Sequence, residues 1–253
     1  MKSKIFLTVI ICFCLHSICN AWGAAGHKIV AKIAFNRVSP AVKDSISKYL
    51  GYTTVEQAAV WMDEIKGDHT YDSLSVWHYL DIPKGGLVDT LSPPNIVWAL
   101  KKVIGELKNR QNYPKDHVVM DIKILFHLMG DLHQPLHTGF PGDRGGNDVK
   151  VYYGANLTNL HKVWDTEILE NEILGAPLDW ANTKHLSKEE LSKIQHIDLI
   201  EWANDSRSNL DSVYAFKNGT LNHKYVKRSV PIIQKQLLKG GLRLATLLQV
   251  IFG

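Results

Sequence analysis

The sequence predicts an all-α fold: a single compact multi-helix domain with room for one short β-hairpin. Apolar residues recur at helical spacing almost throughout, glycine and proline gather in two stretches, and no linker-like composition divides the chain. With 45% apolar residues against 21% charged over 253 positions, the composition excludes a disordered chain, a collagen-like repeat and a disulfide-rich miniprotein.

The elements follow in order. Lys2 and Lys4 precede an apolar run from Ile5 to Leu15 broken only by Thr8, and Cys19-Asn20-Ala21 supplies a small-x-Ala cleavage pattern. The run is too short to cross a bilayer, where about 20 residues are needed. Residues 1–21 are therefore expected to be a cleaved secretory signal, and 22–253 the working domain of a secreted or periplasmic protein. Ile18 argues against lipidation at Cys19, where a small residue would precede the cysteine. Cleavage removes two lysines, no acids and all three cysteines (Cys12, Cys14, Cys19), lowering the formal charge from +4 to +2 and leaving no disulfide. Stability then has to come from a buried core, bound metal or both. So small a positive charge argues against gripping duplex nucleic acid through a basic surface, but not against holding a few nucleotides in a pocket.

Ile29, Ile33, Ala34 and Val38 keep the 3.6-residue spacing up to Ser39-Pro40, where a second helix is expected to start with Pro40 in its first turn. Further helices are expected over roughly 55–64, 94–110, 117–132, 159–173, 188–205 and 224–251. Residues 83–94 and 139–147, rich in Gly and Pro, read as loops, and Val149 to Tyr153 as a short strand. The last helix aligns Ile233, Leu237, Leu244, Leu248 and Ile251 on one face, a pattern more common in a buried terminal helix than in one lying on a membrane.

Histidine carries the chemistry. His127 and Asp131 stand four apart on one helix, and His161 and Asp165 repeat that spacing on another, with His137 between the pairs. Side chains at i and i+4 project side by side, so each pair can clasp one metal ion. One such pair is weak; two with a further histidine favour metal over helix-surface hydrogen bonds. Imidazole and carboxylate without thiolate point to catalytic zinc, with manganese or iron also fitting the ligand types. His69, His117, His185, His196 and His223 lack such partners in the sequence and read as surface residues.

Five segments together resemble a known family, the trinuclear-zinc, single-strand-specific nucleases of the S-one/P-one type. They are Trp22-Gly23 with Gly26-His27, then Trp61-Met62-Asp63, Trp77-His78-Tyr79, the run His127 to His137, and the run Asn159 to Asp165. The resemblance implies three zinc ions. Asp63, His78, His127 and Asp131 would hold the first, and His137, His161 and Asp165 the second. The free α-amine and carbonyl of Trp22 with His27 would hold the third, and Asp131 would bridge the first and third. An uncleaved precursor, lacking the free amine, would then be inactive or weakly active.

Other roles come from the same resemblance. Lys66 matches a cation that could stabilise charge on the transferring phosphate, with a solvated surface lysine as the alternative. Tyr79 and Asp81 match positions that stack on and hydrogen-bond a base, and Asn147 either shapes the phosphate pocket or makes a turn. The resemblance implies a zinc-dependent endonuclease hydrolysing single-stranded DNA and RNA, or nucleotides, to 5′-phosphorylated products, with 3′-nucleotidase activity. No stable membrane association and a monomer are expected, although the sequence itself carries no signal of oligomeric state. Two alternatives stay open: a zinc phospholipase C, related in fold and ligand pattern, and a zinc-binding protein without turnover.

Overall fold

A computed structural model describes residues 22–86, 88, 93–175 and 177–253; the expected signal, 1–21, lies outside the described residues. The first helix, α1 (Ala24–Phe35), has no side-chain cap. Its start is fixed instead by the Gly23 amide, which donates to the Asp165 carbonyl at 2.8 Å. The next three helices start at caps visible in the sequence. Ser39 accepts from the Val42 amide ahead of α2 (Pro40–Leu50), and Thr54 and Gln57 form a reciprocal capping box on α3 (Val55–Glu64). Asn95 accepts from the Val97 and Trp98 amides at α4 (Ile96–Lys108). Each such cap is worth about 1 kcal/mol.

The long helix α5 (Lys115–Asp131) follows Pro114, and a helical stretch runs from α6 (Leu160–Lys162) through two wider π turns, Val163–Glu167 and Leu169–Ile173. The expected helix over 188–205 is in fact two, α7 (Lys188–Gln195) and α8 (Leu199–Arg207). Asp198 turns its carboxylate onto the Ile200 and Glu201 amides, and this cap needs extended backbone where one continuous helix would have run. A short α9 (Leu210–Val213) precedes the 30-residue α10 (His223–Phe252). The first expected helix also stops early, at Phe35, where the Asn36 and Arg37 amides close back onto Lys32 and Ala34.

The expected hairpin is present: β1 (Lys150–Tyr153) pairs antiparallel with β2 (Asn156–Asn159), Lys150 opposite Asn159. A third strand, β3 (Thr220–Leu221), adds to β1 in parallel and was not legible in the sequence.

The core forms around α1, which packs on α10, α3 and α5, while α4 packs on α5. Gly241 on α10 lets the helices meet, since a Cβ there would run into the Ile33 side chain. The apolar face of α10 (Ile233, Leu237, Leu244, Leu248, Ile251) is buried in this core, so it is a packing face. Among the described residues no helix is long and apolar enough to cross a membrane. Trp22, Trp164 and Trp202 are fully buried. The Trp164 indole donates to the Tyr225 hydroxyl at 2.7 Å, which donates to the Val213 carbonyl at 2.6 Å, so the indole is buried without an unpaired N–H. Trp164 thus packs α10 against the helix that presents His161 and Asp165.

Candidate metal centre

Asp131, at the C-terminal end of α5 and wholly buried, is where the candidate ligands converge. Its Oδ2 lies 2.9 Å from His78 Nδ1 and 3.2 Å from His127 Nε2; its Oδ1 lies 3.3 Å from His27 Nε2. Asp63, at the end of α3, reaches to 3.8 Å of His127 Nε2 and pairs with Lys66 at 2.5 Å. A second cluster joins His137, His161 and Asp165. There the two imidazole Nε2 atoms stand 3.2 Å apart, and Asp165 Oδ2 lies 3.0 Å from His161. Trp22 sits fully buried at the head of α1, and the adjoining Gly23 amide is bound to the backbone of Asp165. The structure therefore gathers eight of the nine residues expected as ligands, and Trp22 precedes the glycine bonded to Asp165.

The backbone aims the rings. His127 Nδ1 donates to the Ala59 carbonyl at 2.8 Å, His137 Nδ1 to His78 at 2.7 Å and His161 Nδ1 to Gly145 at 2.7 Å. Each such bond puts the proton on Nδ1 and turns the Nε2 lone pair inward, the second support that metal-binding histidines need. Gln134 donates to Asp165 Oδ1 at 2.5 Å, which leaves Oδ2 for the cluster.

The donors fit a cation. Both nitrogens of His27, Oδ1 of Asp131 and Oδ2 of Asp165 are buried without hydrogen-bond partners. Such orphaned atoms are costly unless something positive satisfies them. Tetrahedral zinc with bonds of about 2.0–2.2 Å holds its ligand atoms about 3.3 Å apart, close to the spacings around Asp131. Burial alone would raise the Asp131 carboxyl, but His127 and His137 overcome it and hold the group well below the usual carboxylate range. Burial pushes His78 down to about 4. His127 goes the other way: against burial, Asp131 and Asp63 hold it above its ordinary value, so binding of a metal there would displace a proton from its ring.

A pocket opens over this centre, lined among others by Lys66, Tyr79, Asp81, Arg144 and Asn147. Tyr79 is exposed at 42% on the pocket wall. Burial, with Asp143 nearby, raises the Asp81 carboxyl. The Asn147 amide donates to the Arg144 carbonyl at 2.9 Å, so the residue makes a turn and lines the pocket at once.

Two features escaped the sequence reading. Arg207, on α8, sends its guanidinium to five carbonyls: Ile82, Pro83, Gly86, Thr138 and Gly139. It ties the two loops that carry Tyr79, Asp81 and His137, and no local pattern announces an arginine bound to backbone far along the chain. His117 is the second: four of the histidines expected at the surface (His69, His185, His196, His223) are exposed, but His117 is half-buried between Glu106 and Asp121. Glu106 lies on another helix, so sequence spacing did not reveal it.

A family model described as S1/P1 Nuclease matches residues 22–253. Endonuclease 3 of Arabidopsis thaliana is 33% identical over 91% of this chain and 89% of its own length. Endonuclease 4 of the same plant is 30% identical over 91% and 89%. Nuclease S1 of Aspergillus oryzae is 28% identical over 91% of both chains.

Proposed function

The chain belongs to the S1/P1 nuclease family, and from that premise we propose that its nuclease activity is carried by three zinc ions held by Trp22, His27, Asp63, His78, His127, Asp131, His137, His161 and Asp165. The protein is a zinc-dependent nuclease acting on single strands, and neither a phospholipase nor a non-catalytic zinc protein is needed to explain its site. The observation that carries the ligand assignment is the meeting of His27, His78 and His127 within 3.3 Å of the one buried carboxylate of Asp131.

In the hydrolysis a water oxygen bonds to phosphorus, the bond from phosphorus to the 3′-oxygen breaks, and the product keeps a 5′-phosphate. Zinc, when bound, supplies Lewis acidity towards phosphate oxygens and makes an attacking water more acidic. The protein supplies the rest. Lys66, on the pocket wall beside Asp63, brings positive charge to where negative charge grows on the phosphate. Tyr79 offers a stacking face and Asp81 a hydrogen-bonding edge for one base, and Asn147 lines the same pocket. A base must leave its stack to reach Tyr79, which a duplex opposes by the cost of unpairing, so single strands of either DNA or RNA are preferred.

The N-terminal position of Trp22 gives the reading its test, because its α-amine exists only after cleavage of the 1–21 signal and export. Zinc-loaded protein beginning at Trp22 is expected to release 5′-nucleotides from single-stranded RNA and DNA. The same protein with one extra N-terminal residue is expected to be much slower and to hold one zinc fewer. Equal rates and equal zinc content in the two forms would overturn the α-amine ligand.

A further inference from the structure

The helix that carries the nuclease centre holds a second cluster near its other end. His117 and Asp121, on the first turns of α5, repeat the i, i+4 pairing of His127 with Asp131. Ten residues of helix separate the two histidines, about 15 Å along the axis, so the cluster is distinct from the centre described above. Glu106 faces it from α4. Glu106 Oε2 lies 3.2 Å from His117 Nε2, and Asp121 Oδ2 lies 3.4 Å from the same nitrogen.

One imidazole N–H cannot point at both carboxylates. The one left over is buried: Asp121 is 2% exposed, and its Oδ2 has no hydrogen-bond partner. Lys102 does not answer this need, since it pairs with Oε1, the other oxygen of Glu106. The Tyr113 ring stacks on the imidazole at 4.8 Å and 12°, fixing the plane in which Nε2 faces the two acids.

The geometry points to a further divalent transition-metal site, with Glu106, His117 and Asp121 as its protein ligands. All three ligand atoms lie within 4.8 Å of one another, and the two spacings at His117 match the roughly 3.3 Å edge of a tetrahedral zinc site with bonds of about 2.0–2.2 Å. The His117 side chain is 30% exposed, which leaves a side open for water as a further ligand. Burial pushes the Asp121 carboxyl up to about 6, with His117 pulling against it. A cation in the corner would relieve that burden and brace α4 against α5.

The test uses the zinc-loaded protein, titrated with zinc chloride at neutral pH beside His117→Ala and Glu106→Gln. Both residues are partly exposed, so both variants are expected to fold, with circular dichroism as the check. Wild type is expected to bind one more equivalent of zinc than either variant, and added zinc to raise its thermal midpoint but not theirs. Nuclease activity is expected to be equal in all three, which separates this site from the nuclease centre. Equal zinc content in wild type and both folded variants would overturn the proposal.

Discussion

The imidazole of His27 lies flat against that of His127, with centroids 3.9 Å apart and planes 13° from parallel, and its edge rests on Gly130. A Cβ at position 130 would stand 2.5 Å from His27 Nδ1. The absence of a side chain there is what lets α1 deliver a histidine to a carboxylate on α5. In an ordinary exposed helix, Gly→Ala stabilises by about 0.5–1 kcal/mol. In Gly130→Ala the sign is expected to reverse, because α1 is packed on α3 and α10 and His27 has no room to retreat. Overpacking of about 1–3 kcal/mol should lower the thermal midpoint, with loss of zinc content and a fall in kcat of at least about tenfold. A variant more stable than wild type with full zinc content would show that His27 tolerates a shift.

Arg207 couples the fold to the pocket. Its five carbonyl partners fall in two chain segments, 82–86 and 138–139, which are also joined by the Leu80 amide on His137 and the Ile82 amide on Gly139. The guanidinium spreads its donors in a rigid plane, and an ammonium cannot span the same set. Arg207→Lys is expected to cost about 3 kcal/mol and, by freeing the loop of Tyr79 and Asp81, to raise KM more than it lowers kcat. Melting curves together with steady-state kinetics on a short oligonucleotide check both halves.

Short-range rules showed most of the helices and the two His-x-x-x-Asp pairs with His137, whereas Trp22, His27, Asp63 and His78 were expected only through the resemblance to the family. Caps such as Thr54 with Gln57 and pairs such as His127 with Asp131 lie within a turn of each other. What the sequence hid depends on contacts between distant segments. Glu106 meets His117 only when α4 packs on α5, and Arg207 finds its carbonyls more than sixty residues away in the chain. The break between α7 and α8 was visible in principle at Asp198, an acid ahead of Leu199, but the apolar period runs through it and outweighed the cap.

Asp205 joins α8 to α10 by accepting Lys239 at 2.6 and 2.7 Å and Arg243 at 3.0 Å, and Arg243 in turn meets His133 Nε2 at 2.9 Å. Burial would raise the Asp205 carboxyl, but Lys239 and then Arg243 hold it below its ordinary value of 3.8. Since the folded-state pKa is depressed, its contribution to stability is complete above the unfolded value and fades as pH falls through the folded one. The stability gap between wild type and Asp205→Asn is therefore expected to be constant from neutral pH down to about 5 and to close as pH falls through the lowered folded-state value. Urea melts across that range would show it, and a gap that persisted at the acid end would mean packing, not charge, is lost in the variant.

Tyr79 gives the sharpest test of substrate grip. Its backbone is fixed, since its carbonyl accepts from the Ile96 amide at 3.1 Å and its neighbour Leu80 is bound to His137, yet its ring is exposed at the pocket wall. Tyr79→Ala should therefore leave the fold and the metal content intact and remove only the stacking face. Stacking on an aromatic is worth about 1–3 kcal/mol per base, so kcat/KM on a single-stranded trinucleotide is expected to fall by about 5-fold to 150-fold. Tyr79→Phe, which keeps the face and loses the hydroxyl, should retain most of the activity. The preference for single over double strands should narrow in the alanine variant, because part of what rewards an unpaired base has gone. If alanine and phenylalanine variants lose activity equally, the hydroxyl carries the contact and the base does not stack there.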